Sequence, residues 1–178
     1  MSLLAFMVLV VPMVVVALCV KLTSKGPVLY WSDRVGKNNV IFRMPKFRTM
    51  LVDTPAVATH LMADPDRFLT PIGKLLRRTS VDELPQLWTI LTGQMAIVGP
   101  RPALFNQDDL IALRTKKGVH ILTPGLTGPA QINGRDELPI PVKVEFDEYY
   151  LKNRSFLFDL KIIVQTIFKA AKGDGVTH

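Results

Sequence analysis

Ser80-Val81-Asp82-Glu83-Leu84-Pro85-Gln86 sets two adjacent carboxylates just behind a helix-capping residue type. Neighbouring side chains on a helix diverge by about 100°, so Asp82 and Glu83 do not close on one ligand as a matched pair. They suit a division of labour, one carboxylate as nucleophile and one as metal ligand. The same spacing fits a capping box of Ser80 with Glu83, which gives Glu83 a wholly structural explanation. Pro85 disturbs that register, because a missing N–H is tolerated best within the first turn. Whichever residue is the cap, Asp82 lies in that first turn, where the dipole favours an anion and would favour phosphate beside it.

Arg101 stands between Pro100 and Pro102. The two prolines stiffen the backbone, and a guanidinium is a rigid fork of donors suited to a phosphate. A surface arginine in a stiff loop is the competing reading. Gln131-Ile132-Asn133-Gly134-Arg135 is a polar turn by default and a ligand cradle if it faces a cleft. Lys46 and Arg48 fall on one side of an extended segment, since strand side chains alternate.

Other chemistries find no foothold. The 178 residues contain no nucleophile elbow, Walker loop, dinucleotide fingerprint or metalloprotease spacing. One cysteine, Cys19, and three scattered histidines, His60, His120 and His178, speak against a disulfide framework and a structural zinc site. A net charge of +7 calls for an anionic partner, whether nucleic acid, phosphorylated small molecule or membrane surface.

The elements that position these residues follow from the apolar pattern. Leu3 to Val20 carries no charge. As a helix it measures about 27 Å at about 1.5 Å per residue, the lower limit of a membrane span. Lys21, Lys25 and Arg34 follow it, which favours a cytoplasmic flank. Pro12 predicts a break in this helix, giving either a kinked span or a helix that enters and leaves one leaflet. Two short strands, Val28–Trp31 and Val40–Phe42, are predicted to form a hairpin across Gly36–Asn39. A helix should run from Thr70-Pro71 to Arg77-Arg78, where the two cations suit its negative end. Another should follow Ser80 and end at Gly93.

Met95–Val98 reads as a strand, Asp108–Lys117 as a helix, and Thr123–Pro129 as a loop without regular structure. Near the C-terminus Leu160, Ile163, Val164, Ile167, Phe168 and Ala171 form one helical stripe, read either as core-facing or as bedded in a membrane interface. The expected fold class is α/β (α+β): a mostly helical catalytic core with a short β-hairpin, an N-terminal membrane helix, and interfacial amphipathic helices. The division is 1–22 for the membrane helix and 23–178 for the membrane-associated domain.

Six runs in order resemble the bacterial sugar transferase family, the monotopic phosphoglycosyl transferases. They are Arg34-Val35-Gly36, Lys46-Phe47-Arg48-Thr49-Met50, Ser80 to Leu87, Val98-Gly99-Pro100-Arg101-Pro102, Pro124 to Gly128, and Gln131 to Arg135. The likeness extends from about Pro12 to Lys172 and departs at Val11, where the family usually has serine before the proline. The resemblance implies a re-entrant helix and an enzyme at the cytoplasmic face of a bacterial inner membrane. It would move a sugar 1-phosphate from a UDP-sugar to a polyprenol (undecaprenyl) phosphate, releasing UMP. Such a step begins assembly of O-antigen, capsule, exopolysaccharide or another glycan.

By the same resemblance Asp82 is the nucleophile and forms an aspartyl phosphosugar. Glu83 holds magnesium, Arg101 grips phosphate, and Lys46, Arg48, Gln131 and Arg135 complete an anionic-substrate site. Membrane lipids are implied partners, nucleic acid is not, and a homodimer is a candidate assembly. A carboxylate with the ordinary aspartate pKa of about 3.9 is ionised at neutral pH and needs no base. The competing classes are a basic nucleic-acid binder and a non-catalytic membrane scaffold. The apolar N-terminus and 15 acidic residues weigh against the first.

Overall fold

The computed structural model describes residues 2–55, 64, 66–134 and 138–172, with backbone alone for 2–8 and 170–172. In chain order the elements are α1 (Ser2–Thr23), β1 (Leu29–Val35), β2 (Ile41–Phe47), α2 (Gly73–Arg78), α3 (Leu87–Leu91), β3 (Ala96–Val98), α4 (Asp108–Lys116), β4 (Gly125–Thr127), α5 (Pro129–Ile132), α6 (Ile140–Asn153) and α7 (Phe156–Lys172). Short 3-10 turns lie at Lys37–Asn39, Asp66–Phe68, Val81–Gln86 and Val119–Ile121. The mixture of helices with two small sheets matches the expected class. Contacts divide the described residues into two compact units, one drawn from Met1–Ser32 and Met44–Leu91, the other from Asp33–Arg43 and Thr92–Gly175.

In the first unit, α1 is the wall against which the rest packs. Val20 is fully buried with Phe47 and Leu76, and Met13, Val16, Ala17, Leu84 and Val81 extend that cluster. The recurrence Met13, Val16, Ala17, Val20 is one face of a helix. Its other face leaves Val11, Val14, Val15, Leu18 and Leu22 exposed, so α1 is apolar all round but buried on one side only. The helix is continuous through Pro12, where a break was expected. Proline removes one donor and crowds one carbonyl, and the turns on either side keep their own bonds. Among the described residues no helix is long and apolar enough to cross a membrane.

The exit of α1 is fastened to β2. Ser24 returns its N–H and its hydroxyl to the Val20 carbonyl, and the Arg48 guanidinium takes the Ser24 carbonyl (2.9 Å), the Ser24 hydroxyl (2.7 Å) and the Lys25 carbonyl. Ser24 and Lys25 lie just past the last residue of α1, where a cation suits the negative end of the helix dipole.

In the second unit, β3 and β4 pair in parallel, Ala96 opposite Gly125 and Val98 opposite Thr127. Gly125–Thr127 was expected to be irregular, and Pro129–Ile132 continues it as a helix. The pairing works because glycine lets two backbones meet: a Cβ on Gly125 would stand 2.1 Å from the Gly99 nitrogen and 2.6 Å from the Thr127 oxygen. Such clearance belongs to a pair of segments and leaves no periodic signal in either one. Gly125→Ala is therefore expected to cost about 3 kcal/mol or more, since only backbone could give way. At roughly 2–4 °C per kcal/mol, the melting temperature should fall by about 6 °C or more in a thermal scan.

Around this sheet Val98, Val119, Leu122, Ile132, Tyr150 and Ile162 form the core, and Tyr150 donates to Asp159 at 2.7 Å. Ala103, Leu110 and Val144 form a second cluster between α4 and α6. The stripe expected on α7 is not the face that packs. Ile162 is buried, with Phe158 and Ile163 beside it, whereas Leu160, Val164, Ile167 and Phe168 are exposed. The packed side mixes Ile162 with Asp159 and Thr166, which bond to Tyr150 and Thr127, so periodicity marks the more apolar stripe without saying which side meets the core. The core-facing reading of that stripe is corrected.

Candidate active site

The acid pair sits on a 3-10 turn rather than an α-helix. Ser80 adopts the left-handed conformation (φ +55°, ψ 18°), and Val81–Gln86 follows as 3-10 before α3 begins. A non-glycine residue held there costs about 1 kcal/mol or more. Pro85 has no N–H for a helical ladder, which suits the short turn. The Ser80 side chain makes no capping hydrogen bond. The Glu83 carboxylate instead meets Lys46, Nζ to Oε1 at 3.0 Å, so the capping-box explanation is replaced by an ion pair. Both groups keep some exposure, and a pair of this kind holds geometry more than it stabilises.

Asp82 is only 7% exposed. Its carboxylate bears electrostatically on Arg77, the last turn of α2. Burial pulls the Arg77 guanidinium below its ordinary range, while Asp82 and then Asp66 push the other way. Arg77 is oriented by its Nε donating to the Thr49 hydroxyl at 3.0 Å. That contact has a local cause. A Cβ on Gly73 would lie 2.2 Å from the Thr49 carbonyl oxygen, so only glycine lets α2 start against Thr49, one turn before Arg77. Sequence reasoning read Arg77 as a dipole partner and missed its nearness to Asp82. Its place five residues before the acid pair was the available signal.

Two residues expected on one side of β2 therefore serve different ends. Lys46 reaches Glu83. Arg48 is buried, and its Nη1 and Nη2 donate to Lys25 and Ser24 at the exit of α1. Those bonds tie the segment after β2 to the exit of α1.

Arg101 and Gln131 belong to the second unit, where both hang from the β3–β4 layer. Gly99-Pro100-Arg101-Pro102 leaves β3, and Gln131 lies on α5 directly after β4. Gln131 is 8% exposed, and neither its Oε1 nor its Nε2 has a hydrogen-bond partner among the described residues. A buried amide without a partner costs about 1–3 kcal/mol. Arg135 lies outside the described residues.

Among the described residues no three of His, Cys, Asp and Glu gather as a metal cage. The donor set fits magnesium in the form it takes with nucleotides, one or two carboxylates plus phosphate oxygens and water. Glu83, with Asp82 next to it, offers that much.

Residues 1–173 match the family model of the bacterial sugar transferases. The chain is 41% identical over 159 residues to the uncharacterized sugar transferase EpsL of Bacillus subtilis, covering 88% of this chain and 76% of that one. It is 36% identical to the UDP-N-acetylgalactosamine-undecaprenyl-phosphate N-acetylgalactosaminephosphotransferase of Aeromonas hydrophila, over 92% of this chain and 40% of the relative. It is 41% identical to the UDP-glucose:undecaprenyl-phosphate glucose-1-phosphate transferase of Escherichia coli, over 86% and 35%. The chain thus spans well under half the length of these two named transferases.

Proposed function

The chain belongs to the bacterial sugar transferase family, and from that premise we propose that it transfers a sugar 1-phosphate from a UDP-sugar to undecaprenyl phosphate at a membrane, releasing UMP. The observation that carries this reading is the acid pair. Asp82 and Glu83 lie on a buried turn packed against apolar α1, with Lys46 on Glu83 and Arg77 beside Asp82. A carboxylate that must approach a diphosphate needs positive charge close by, and it has it here.

In the proposed reaction an Asp82 carboxylate oxygen attacks the sugar-bearing phosphorus. The bond from that phosphorus to the bridging oxygen breaks, and UMP leaves with the electron pair. An oxygen of the lipid phosphate then attacks the same phosphorus, frees the Asp82 carboxylate and leaves a sugar diphospholipid. Asp82 holds the phosphosugar between the two steps, so soluble donor and lipid acceptor use one position in turn, with ping-pong kinetics. Arg101 is proposed to bind a donor phosphate, and the unpaired amide of Gln131 to bind a polar group of the donor. Magnesium, held by Glu83 when bound, supplies neutralisation of phosphate charge.

Membrane attachment rests on the exposed apolar sides of α1 and α7. Val11, Val14, Val15, Leu18 and Leu22 line the first. Phe156, Leu157, Leu160, Val164, Ile167 and Phe168 line the second. Patches of this size on a charged protein fit lipid better than water, and the cations that follow α1 fit the cytoplasmic leaflet.

A panel of UDP-sugars offered with undecaprenyl phosphate and magnesium tests the reading. UMP should be released over many turnovers for at least one donor when the lipid is present, and in no more than about one equivalent per enzyme when it is absent. No UMP from any donor, together with a steep salt-dependent affinity for DNA or RNA, would replace the enzyme by the basic nucleic-acid binder.

A further inference from the structure

Four successive carbonyls around Arg101 are each held by a donor from elsewhere in the second unit. Pro100 O accepts from the Gly125 N–H at 2.8 Å, and Ala103 O from the Val35 N–H at 2.9 Å. Between them, Arg101 O accepts from Arg114 Nη1 at 2.8 Å and Pro102 O from Arg34 Nη1 at 3.2 Å. Prolines on both sides of Arg101 fix φ and bring no N–H of their own. The backbone that carries Arg101 is therefore tied at every residue, and two of the ties are guanidinium groups.

Arg114 is aimed by a second residue. Its Nε and Nη2 both donate to Asp147 Oδ2, at 2.9 and 2.6 Å, which leaves Nη1 for the Arg101 carbonyl. Asp147 is 0% exposed, and its Oδ1 has no hydrogen-bond partner among the described residues. Burial pushes the Asp147 carboxyl up from the usual carboxylate range, and Arg114 opposes that. An ion pair so buried is a poor way to join two helices, because apolar side chains of similar volume do it at least as well. Leu110 and Val144 already do so between α4 and α6. What apolar residues could not do is present a planar fork with one prong on a loop carbonyl.

We propose that Arg114, oriented by Asp147, and Arg34 are positioning residues that hold the Arg101 loop in the conformation in which its side chain binds donor phosphate. This rests on the reading of Arg101 given above. None of the three needs to touch substrate. Their effect is to remove the freedom that a guanidinium on a mobile loop would lose on binding.

The test is a set of double-mutant cycles with UDP-sugar kinetics and thermal melts. Arg114→Lys keeps a cation for Asp147 but loses the fork, and should lower kcat/KM for the donor about tenfold with little change in Tm. Arg34→Ala should lower it less. Combined with Arg101→Ala, each should produce no further loss in kcat/KM, because the side chain they aim is gone. Asp147→Asn is the harsher variant. If it does not fold, the Arg114→Lys and Arg34→Ala cycles still decide. Losses that multiply with that of Arg101→Ala would overturn the proposal in favour of a merely structural tie. So would a silent Arg114→Lys in an enzyme that Arg101→Ala impairs. A silent Arg101→Ala would overturn it one level lower, by removing the phosphate role of Arg101 itself.

Discussion

Asp82→Asn should abolish transfer, with UMP release falling by about 10⁴-fold or more, the scale seen when a catalytic nucleophile is removed. The amide matches the carboxylate in shape, so the buried turn Val81–Gln86 has no steric reason to unfold. It cannot form the acyl phosphate, and Arg77 loses the charge it faces. The decisive measurement needs no lipid. Wild-type protein given donor labelled in the sugar should retain label at position 82 on peptide mapping, and the variant should retain none. An unlabelled wild-type peptide under conditions where product forms would sink the covalent route while leaving the transferase assignment standing.

Glu83→Gln carries the second large effect. The substitution removes one partner of the 3.0 Å ion pair with Lys46 and weakens the proposed magnesium ligand in the same stroke. Activity should fall by about 10²-fold, and raising magnesium should restore part of it, since a weaker ligand shifts the concentration needed rather than the chemistry. A variant whose only defect is a lower melting temperature would make Glu83 a structural partner of Lys46 and nothing more. The structure has already removed the rival explanation from capping, because Ser80 sits in the left-handed region with its hydroxyl turned to no helix N–H.

Local chemistry made some of the molecule readable in advance. Gly36 to Asn39 announced a turn, and the strands it joins are there, though longer than the short apolar runs that marked them. The helix ending at Arg77-Arg78 and the one over Asp108–Lys116 carry the charges expected at their ends, but the expected cap at Thr70 is not used: α2 begins at Gly73 after Ile72, with no side-chain cap. What was not readable depends on distant segments meeting. The strand at Gly125–Thr127 exists because Gly99 and Gly125 permit two backbones to touch. The role of Arg48 depends on where α1 ends, and that of Arg77 on how Thr49 and Gly73 meet. The acid pair was legible as chemistry, but its 3-10 geometry was not. That geometry comes from competition between Pro85, Lys46 and a cap that is not used.

The two-sided character of α7 has a practical consequence for making this protein. One side seats Ile162 in the core while the other turns Phe156, Leu157, Leu160, Val164, Ile167 and Phe168 outward. In plain buffer that outer side invites clumping, and shortening the chain to be rid of it would pull Ile162 out as well. A form that stays dispersed without detergent has to come from recolouring, with lysine or glutamate at positions such as 160, 164 and 167, and every inward residue left as it is.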